Sequence, residues 1–402
     1  MYQKTEMNEL NGKRILLGVT GGIAAYKAAE LIRLLSKEGV DVRVVMTNSG
    51  AEFISPLTLQ ALSGNPVHTS MWDQSIPNGM PHIELSRDCD LVLVAPATAD
   101  FMAKLATGRA DDLLTTLCLA RDCPLILAPA MNKQMWENSS TQRNLDTLQQ
   151  DGVHFVGPDS GIQACGEQGV GRMTEPELIT NEIISWFQPK LLQNKNVVVT
   201  AGPTYEAIDA VRGITNASSG KMGYAVAQAA RDAGANVTLI SGKTSLTPPS
   251  QARFISIVSA KDMLDAVLQE IDHADIFISV AAVADFSVRN PSEHKIKKSQ
   301  QKLNIEFEET PDILKTVASR KNRPFCVGFA AESQDVEEYA KKKRIEKDIP
   351  LIVANLVTEA LNSDINSLIL IDNDGSKKLP LSPKLEQARQ LMTHISNLLK
   401  KQ

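Results

Sequence analysis

Short runs of consecutive apolar residues, each followed by a segment of helical spacing, recur along this chain and constrain its fold most strongly. Residues 197–199 are three consecutive valines, which leave no position for a polar face and predict a strand buried on both sides. Residues 15–19 and 41–46 are further strands, separated by a helical segment that ends at Gly39. This alternation predicts an α/β fold made of two doubly wound, Rossmann-like parallel-sheet domains joined by a short linker.

A length of 402 residues is enough for two such domains. A Pro-Lys break at 189–190, before the alternation restarts at Val197, predicts domains at residues 1–190 and 191–402. Further strands are expected at 90–95, 124–128, 153–156, 236–240, 275–280, 325–329, 351–354 and 368–371. Further helices are expected at 221–234, 261–272, 313–320, 336–347 and 384–399.

Composition excludes several classes of protein. A net charge of −5 argues against non-specific nucleic-acid binding. No apolar run approaches about twenty residues, and the first residues lack the apolar core of a signal peptide, so we expect no membrane association. Five cysteines at irregular spacing, with no Cys-x-x-Cys pair, support neither a disulfide framework nor a zinc site. We therefore expect a cytoplasmic protein.

Three strand ends in the first half should converge on one ligand site, at Thr20, Pro96 and Pro129, because ligands of open parallel sheets lie beyond the carboxyl ends of the strands. The turn at Thr20 reads TGGIAAYK, which is a phosphate-binding geometry at the start of a helix. It is not G-x-G-x-x-G, so it does not imply a dinucleotide. A plain structural turn remains the alternative.

Cys165 stands apart from the cysteines in or beside apolar runs, such as Cys89, Cys118 and Cys326. It lies near the middle of residues 157–173, where five glycines predict a mobile segment. A thiol on a glycine-rich flap favours a reactive group brought over a ligand, whereas the other cysteines are typical of small buried hydrophobes.

The long loop at residues 200–223 is the richest candidate site of the second half. It enters a helix through Ser-Ser-Gly-Lys, so geometry and helix dipole both favour an anion there. Among its polar side chains are those of Arg212, Asn216, Ser218, Ser219 and Lys221. A polar surface loop with a serine cap is the alternative.

A second group of charges follows the strand at 275–280. Asp285 comes just past the end of that strand, and Lys295 opens a lysine run. Lys343 and Lys347 lie four residues apart, on one face of a predicted helix. These lysines either reach the same anion or form solvated faces.

In order and spacing, the chain's motifs resemble those of the bifunctional flavoprotein family of bacterial coenzyme A synthesis. That family fuses a 4′-phosphopantothenoylcysteine decarboxylase to a phosphopantothenate–cysteine ligase. The resemblance covers nearly the whole chain and is carried by VTGGIAAYK, HIEL, APATAD, PAMNKQMW, GIQACGEQGVGRM, TAGPTYEAID, ITNASSGKMG, AAVADF, KIKK, TPDIL and VGFAAES.

The resemblance implies FMN in the first half. It would contact Gly21, Gly22, Ile23, Thr47, Thr98 and Met131. By motif, His82 matches the family's active-site histidine, Asn132 its active-site asparagine and Cys165 its catalytic thiol. A flavin can oxidise the CH2–SH carbon to a thioaldehyde, from which CO2 is lost as an enethiolate. Cys165 would supply the proton that follows, while Asn132 and His82 would hold the departing carboxylate.

For the second half, the resemblance implies CTP-dependent ligation of L-cysteine to 4′-phosphopantothenate through an acyl-cytidylate. The catalytic residues would be Lys295 at the α-phosphate, Asn216 at the intermediate, and Arg212 beside it. The CTP-contact positions would be Ser279, Val280, Ala281, Asp285, Lys295, Pro311, Asp312, Ile313, Leu314, Phe329, Lys343 and Lys347. Mg²⁺ or Mn²⁺ would accompany the nucleotide, with its ligands unknown. The family also implies a homo-oligomer, a dodecamer built from decarboxylase trimers and ligase dimers.

Two other interpretations compete with this one. A flavin-binding regulatory subunit without catalysis would lack the catalytic cysteine, whereas His82, Asn132 and Cys165 are all present here. A dinucleotide-dependent oxidoreductase would show G-x-G-x-x-G, and neither helix-opening turn does so.

Overall fold

The computed structural model describes residues 10–72, 79–164, 166–297, 304–332, 335–356 and 363–401. Clustering of contacts divides the chain into two compact units, residues 1–188 and 189–402. Each unit is built around its own sheet.

The first unit is organised by a six-stranded sheet in the order β3-β2-β1-β4-β5-β6. All its pairings are parallel. Its strands are β1 (Arg14–Val19), β2 (Asp41–Met46), β3 (Val67–His68), β4 (Leu91–Ala97), β5 (Leu125–Pro129) and β6 (His154–Phe155). Strand order reverses between β1 and β4, which is the switch point at which such sheets bind ligands.

Helices cover both faces of this sheet. Leu17 of β1 packs in one apolar cluster and Leu16 in another, as expected for a doubly wound domain. In the first helix, Leu31, Ile32 and Leu35 are fully buried, and Gly39 follows it at φ +82°. The helices are α1 (Lys27–Lys37), α2 (Asn48–Ala51), α3 (Pro56–Ser63), α4 (Pro81–Ser86), α5 (Ala99–Ala106), α6 (Leu113–Ala120), α7 (Lys133–Glu137), α8 (Ser139–Gln150) and α9 (Pro176–Trp186).

The glycine-rich segment at 157–173 contains regular structure. Strands β7 (Asp159–Ile162) and β8 (Gln168–Arg172) pair antiparallel as a separate hairpin. We expected a mobile flap; the described part of the segment is a hairpin whose Gly171 carbonyl accepts from the Met131 N–H at 2.9 Å. The hairpin is thus joined to the loop that follows β5.

The second unit contains an eight-stranded sheet, in the order β13-β12-β9-β14-β17-β18-β20-β21. Six neighbouring strands are parallel, as predicted, and β20 and β21 add an antiparallel edge that was not predicted. Antiparallel edges on otherwise parallel sheets are common because a short turn can join them. The strands are β9 (Asn196–Ala201), β12 (Asn236–Ser241), β13 (Arg253–Ser256), β14 (Ile276–Ser279), β17 (Phe325–Glu332), β18 (Leu351–Leu356), β20 (Ile369–Ile371) and β21 (Ser376–Lys378).

The described part of this unit also contains three two-stranded antiparallel sheets outside the main sheet. They are β10 (Tyr205–Ala207) with β11 (Gly213–Thr215), β15 (Phe286–Val288) with β16 (Phe307–Glu309), and β19 (Ile365–Asn366) with β22 (Ser382–Pro383). The first two lie close to the candidate site described below.

The helices of the second unit are α10 (Lys221–Asp232), α11 (Ala260–Glu270), α12 (Ile313–Ala318), α13 (Val336–Glu346) and α14 (Lys384–Leu399). Leu391 and Ile395 of α14 are fully buried in the cluster that also holds Val226 and Ala230 of α10. The helix expected at 384–399 is therefore present and packs against the core. Within the described part of the chain, no helix has both the length and the apolar character needed to cross a bilayer.

Candidate active sites

A cavity of about 1080 Å³ opens in the first unit where β1, β2, β4 and β5 end. The predicted convergence of the strand ends is confirmed: the Thr20 hydroxyl donates to the Pro96 carbonyl at 2.7 Å and accepts from the Thr98 N–H at 3.2 Å. The six positions predicted to contact a flavin all line this cavity, as does Asn132; they are Gly21, Gly22, Ile23, Thr47, Thr98 and Met131.

The Gly21 position admits no side chain. A Cβ there would lie 2.3 Å from the Ser49 Cβ and 2.9 Å from the Ser49 carbonyl carbon. Since one of these atoms is backbone, the turn after β1 has to be glycine for helix α2 to approach it this closely. This close approach shapes one wall of the cavity.

Three polar side chains that line the cavity also cap the N-termini of helices. Thr47 accepts from the Gly50 N–H at 3.1 Å, Thr98 from the Phe101 N–H at 3.2 Å, and Asn132 from the Met135 N–H at 2.9 Å. Capping fixes these side chains, because their acceptor oxygens are held by the helix. Asn132 therefore presents its amide N–H groups as the donors available to a ligand.

Lys27 is a lining residue that sequence reasoning missed. It is only 6% exposed, and its Nζ donates to the Met173 carbonyl and pairs with Glu175, each at 3.0 Å. The hydrogen bond from Lys27 lowers the pKa of Glu175. The available signal was the lysine that closes TGGIAAYK, which we interpreted as the start of a helix.

His82 is described by the structure but is not among the residues that line the cavity. It is in the first turn of α4, which packs against α6. The proline at the first position of α4 favours a helix there. Cys165 lies outside the described residues; its neighbour Ala164 lines the cavity.

A second cavity, of about 520 Å³, lies in the second unit at the ends of β9, β14 and β17. It is lined by part of the predicted ligase set, namely Asn216, Val280, Ala281, Asp285, Phe329 and Lys343. The Ser218–Lys221 segment at the start of α10 lines it as well, so the long loop is not a plain surface loop. Thr200 joins two of the walls, because its Oγ1 accepts from the N–H groups of Val280 at 3.2 Å and Ala281 at 3.3 Å.

Asn216 is held against one wall of this cavity. Its Nδ2 donates to the carbonyls of Ala282 at 3.0 Å and Val283 at 3.1 Å. With both N–H groups engaged, the group it presents to a ligand is the acceptor Oδ1.

Several predicted nucleotide contacts lie around the cavity rather than in its lining. Asp312 caps α12 and pairs with Lys347 at 2.7 Å. Burial alone would raise the pKa of Asp312, but the hydrogen bonds from Lys347 and the Lys315 N–H lower it. Pro311 is exposed beside this pair, and Ser279 ends β14 next to the lining residue Val280.

Ile313 and Leu314 are only 4% and 7% exposed, because their side chains pack into the core beneath α12. Their side chains are therefore not available to CTP, so the predicted contacts would have to be made by their backbone groups.

Arg212 and Lys295 are likewise absent from the described lining. Arg212 pairs with the buried Asp209, and its Nη2 donates to the Ile296 carbonyl at 3.0 Å. Lys295 is exposed in the loop that follows β15. The structure thus brings Arg212 to the lysine-bearing loop, one residue from Lys295.

Two of the three cysteines predicted to be small buried hydrophobes are buried, whereas Cys89 is half-buried. Cys118 is fully buried, and Cys326 is nearly so. Burial raises the pKa of Cys118 to about 12 and that of Cys326 to about 11. Neither thiol is a nucleophile at neutral pH. Over the described ranges, no group of three or more His, Cys, Asp or Glu side chains forms a metal site.

Comparison with known proteins covers both units. Residues 3–188 match the flavoprotein family, and residues 192–399 match the C-terminal domain of DNA/pantothenate metabolism flavoproteins. The chain is 51% identical to the coenzyme A biosynthesis bifunctional protein CoaBC of Haemophilus influenzae over 96% of this chain and 98% of that protein. It is 49% identical to the Escherichia coli protein of the same name, over 96% and 97%.

Solved structures are similar to parts of this chain. One is the C-terminal domain of a coenzyme A biosynthesis bifunctional protein CoaBC, with 42% identity, a TM-score of 0.47 and coverage of 53% of this chain and 100% of that one. Another is the FMN-binding protein AtHal3, with 36% identity, a TM-score of 0.39 and coverage of 42% and 94%. The full-length relatives and the two family matches show that the chain belongs to the family of bifunctional coenzyme A biosynthesis enzymes, with a decarboxylase and a ligase activity.

Proposed function

We propose that the first unit is an FMN-dependent decarboxylase of 4′-phosphopantothenoylcysteine and that the second is a CTP-dependent ligase of 4′-phosphopantothenate and L-cysteine. The observation that carries this proposal is that each unit has its own cavity at the carboxyl ends of parallel strands in its own sheet. Two separate sites suit two successive reactions on pantothenate-derived substrates.

The residues of the first cavity fit a flavin mononucleotide. The cavity volume of about 1080 Å³ exceeds the usual range for small-molecule sites, about 300–1,000 Å³, which leaves room for substrate beside the cofactor. Gly21, Gly22 and Ile23 would hold the phosphate end beyond β1, and Thr47, Thr98 and Met131 would contact the rest. FMN, when bound, supplies the electron acceptor that makes loss of CO2 possible.

The chain's own groups then act on the substrate. Asn132 can donate its amide N–H groups to the substrate carboxylate, and the ion pair of Lys27 keeps a cation at the cavity wall. Excluding water around that carboxylate favours its departure. Cys165 would donate a proton, and the two electrons taken up by the flavin would return to the enethiolate, so that together they complete 4′-phosphopantetheine. The catalytic role of His82 stays a prediction.

In the second unit, Ser218–Lys221 and the N-terminus of α10 would hold phosphate groups of CTP. Val280, Ala281, Phe329 and Lys343 would contact the rest of the nucleotide. Asn216 presents an acceptor oxygen, which suits the amine of L-cysteine as it attacks the acyl-cytidylate.

Charge stabilisation at the α-phosphate is the role that we assign to Lys295. Mg²⁺ or Mn²⁺ would be held largely by the phosphates and water, because Asp285 is the one carboxylate among the described lining residues. The same proposal includes assembly as a homo-oligomer of trimers and dimers, and a cytoplasmic location.

Flavin content tests the first assignment. The purified full chain should be yellow, and heating it should release FMN rather than FAD or a nicotinamide dinucleotide, as identified by mass. A fragment ending near residue 190 should retain the colour and decarboxylate supplied 4′-phosphopantothenoylcysteine. A folded but colourless fragment would contradict the assignment of FMN to this unit.

A further inference from the structure

We infer that Asp209 is a positioning residue of the ligase reaction, whose buried carboxylate holds the Arg212 guanidinium and the Lys295-bearing loop in one arrangement. This inference rests on the proposed ligase function of the second unit. It assigns Asp209 no contact with substrate, since Asp209 is not among the described residues that line the cavity.

The Asp209 side chain is fully buried, and its two oxygens accept several hydrogen bonds. Oδ1 accepts from the N–H of Val211 at 2.9 Å and from that of Arg212 at 2.8 Å. Oδ2 accepts from Arg212 Nε at 3.0 Å, from Arg212 Nη2 at 2.5 Å, and from the Ile296 N–H at 3.1 Å. A buried carboxylate is tolerated only when it is paired and hydrogen-bonded, and both conditions are met here.

Both backbone polar groups of Ile296, its N–H and its carbonyl, are hydrogen-bonded to the Asp209–Arg212 pair. Its N–H donates to Asp209, and its carbonyl accepts from Arg212 Nη2 at 3.0 Å. A further backbone bond, from the Ser292 N–H to the Ile208 carbonyl at 3.0 Å, holds the same loop to the same hairpin. Lys295 lies between these attachments, so its backbone position is set by the β10–β11 hairpin.

Ionisation of Asp209 is what makes this attachment strong. The hydrogen bond from Arg212 holds the pKa of Asp209 far below its usual range, and Asp209 in turn raises the pKa of Arg212. Asparagine has the same shape but is neutral, and its NH2 group would face N–H donors that have lost their acceptor. The Asp209→Asn variant should therefore loosen the hairpin and the loop together.

Two strands connect this carboxylate to the cavity. β11 begins at Gly213, next to Arg212, and leads to the lining residue Asn216. β15 follows the lining residue Asp285 and leads into the loop of Lys295. Asp209 thus holds in place the two chain segments, the β10–β11 hairpin and the Lys295 loop, that lead to the cavity.

The test compares full-length Asp209→Asn with Asp275→Asn. The control carboxylate, Asp275, also accepts from a cation and a backbone amide, namely Lys195 Nζ at 2.9 Å and the Asn196 N–H at 2.8 Å. It lies at the amino end of β14, whereas the cavity lies beyond the carboxyl end. Misplacement by about 1 Å can cost about a hundredfold in rate, so we expect Asp209→Asn to lower the kcat of CTP-dependent pyrophosphate release about ten- to a hundredfold. The KM for CTP should change little, and decarboxylation of supplied 4′-phosphopantothenoylcysteine should be unchanged. Asp275→Asn should keep wild-type kcat.

Two measurements separate positioning from a general structural effect. Hydrogen exchange of a peptide that contains Ile296 should speed up in Asp209→Asn and not in Asp275→Asn. The losses in the double variant Asp209→Asn/Lys295→Gln should be less than additive, because Asp209 acts in part through Lys295. Ile296→Pro removes the loop's N–H while sparing the carboxylate, and should reproduce the kcat loss even if Asp209→Asn fails to fold.

Additive losses in the double variant, unchanged exchange at Ile296, or wild-type kcat in Ile296→Pro would each overturn the inference. If the wild-type chain itself releases no pyrophosphate from CTP, the proposed ligase function fails, and the inference fails with it. An active wild type with an equally active Asp209→Asn refutes the inference alone.

Discussion

Replacing Thr20 with valine should destabilise the first unit without creating a packing cavity. Valine keeps the shape of threonine, and Thr20 is only 2% exposed, so the change removes hydrogen bonds rather than volume. Two backbone groups lose their partner: the buried Pro96 carbonyl, now 2.7 Å from the hydroxyl, and the half-buried Thr98 N–H. Water or a ligand can reach Thr98 but not Pro96.

The expected loss follows from that difference. An unsatisfied buried carbonyl costs about 1–3 kcal/mol, so we take about 2 kcal/mol as the loss in unfolding free energy. For a unit of this size, that lowers Tm by about 4–8 °C.

Thermal unfolding followed by flavin fluorescence reports on this unit. Thr107→Val is the matched control, because its hydroxyl bonds to the Ala103 carbonyl on an exposed helix end. Surface changes of this kind stay within about 0.5 kcal/mol. Equal transition temperatures for Thr20→Val and Thr107→Val would refute the argument that this hydroxyl holds the strand ends together.

Four further outcomes are expected. Lys295→Gln should cut CTP-dependent pyrophosphate release by about a hundred- to a thousandfold, with decarboxylation of supplied substrate unchanged; parallel loss of both activities would contradict separate sites. Asn216→Asp should still release pyrophosphate while forming little amide product, so equal loss of both products counts against its role at the intermediate. Cys165→Ser should release CO2 once and then stall with an oxidised enethiol product, and normal turnover would place the acid elsewhere. Lys347→Met should destabilise the second unit near neutral pH, because Lys347 lowers the pKa of Asp312. The difference in unfolding free energy between wild type and variant should persist above the ordinary pKa of 3.8 and disappear as pH falls below it. A difference that grows in acid would refute the pairing.

Sequence predicted the sheets because their central strands are continuous apolar runs. Residues 15–19 and 197–199 occupy β1 and β9, and strands buried on both faces need such runs. The edges lack this signal. β3 has two residues, and β20 and β21 reverse direction through a short turn around Gly375, so neither length nor apolar pattern indicated their arrangement.

The first candidate site was more predictable than the second. Flavin positions lie directly at strand ends, so the fold alone brings Gly21, Thr47 and Thr98 together. By contrast, Arg212 and Lys295 lie on loops whose position depends on the buried Asp209. Sequence gave no reason to single out that aspartate, because its importance comes from a hydrogen bond to a residue 87 positions away.

His82 and Lys27 show the limits of local pattern in opposite ways. The motif match assigned His82 to the active site, but Pro81 begins a helix there, and His82 is not among the residues that line the cavity. The motif TGGIAAYK indicated only the start of a helix at Lys27, yet the Lys27 side chain is buried against Glu175, far away in sequence. Ion pairs between distant segments are invisible to spacing arguments.

The central claim is that one chain carries two reactions in two sites. The most direct test supplies the purified full-length protein with 4′-phosphopantothenate, L-cysteine and either CTP or ATP, and follows CO2, CMP and pyrophosphate. The account predicts that, with CTP, pyrophosphate and CMP appear together and CO2 follows, while ATP supports far less turnover. Pyrophosphate without CO2 from a flavin-loaded protein, or CO2 from supplied 4′-phosphopantothenoylcysteine without any CTP-dependent pyrophosphate, would contradict it.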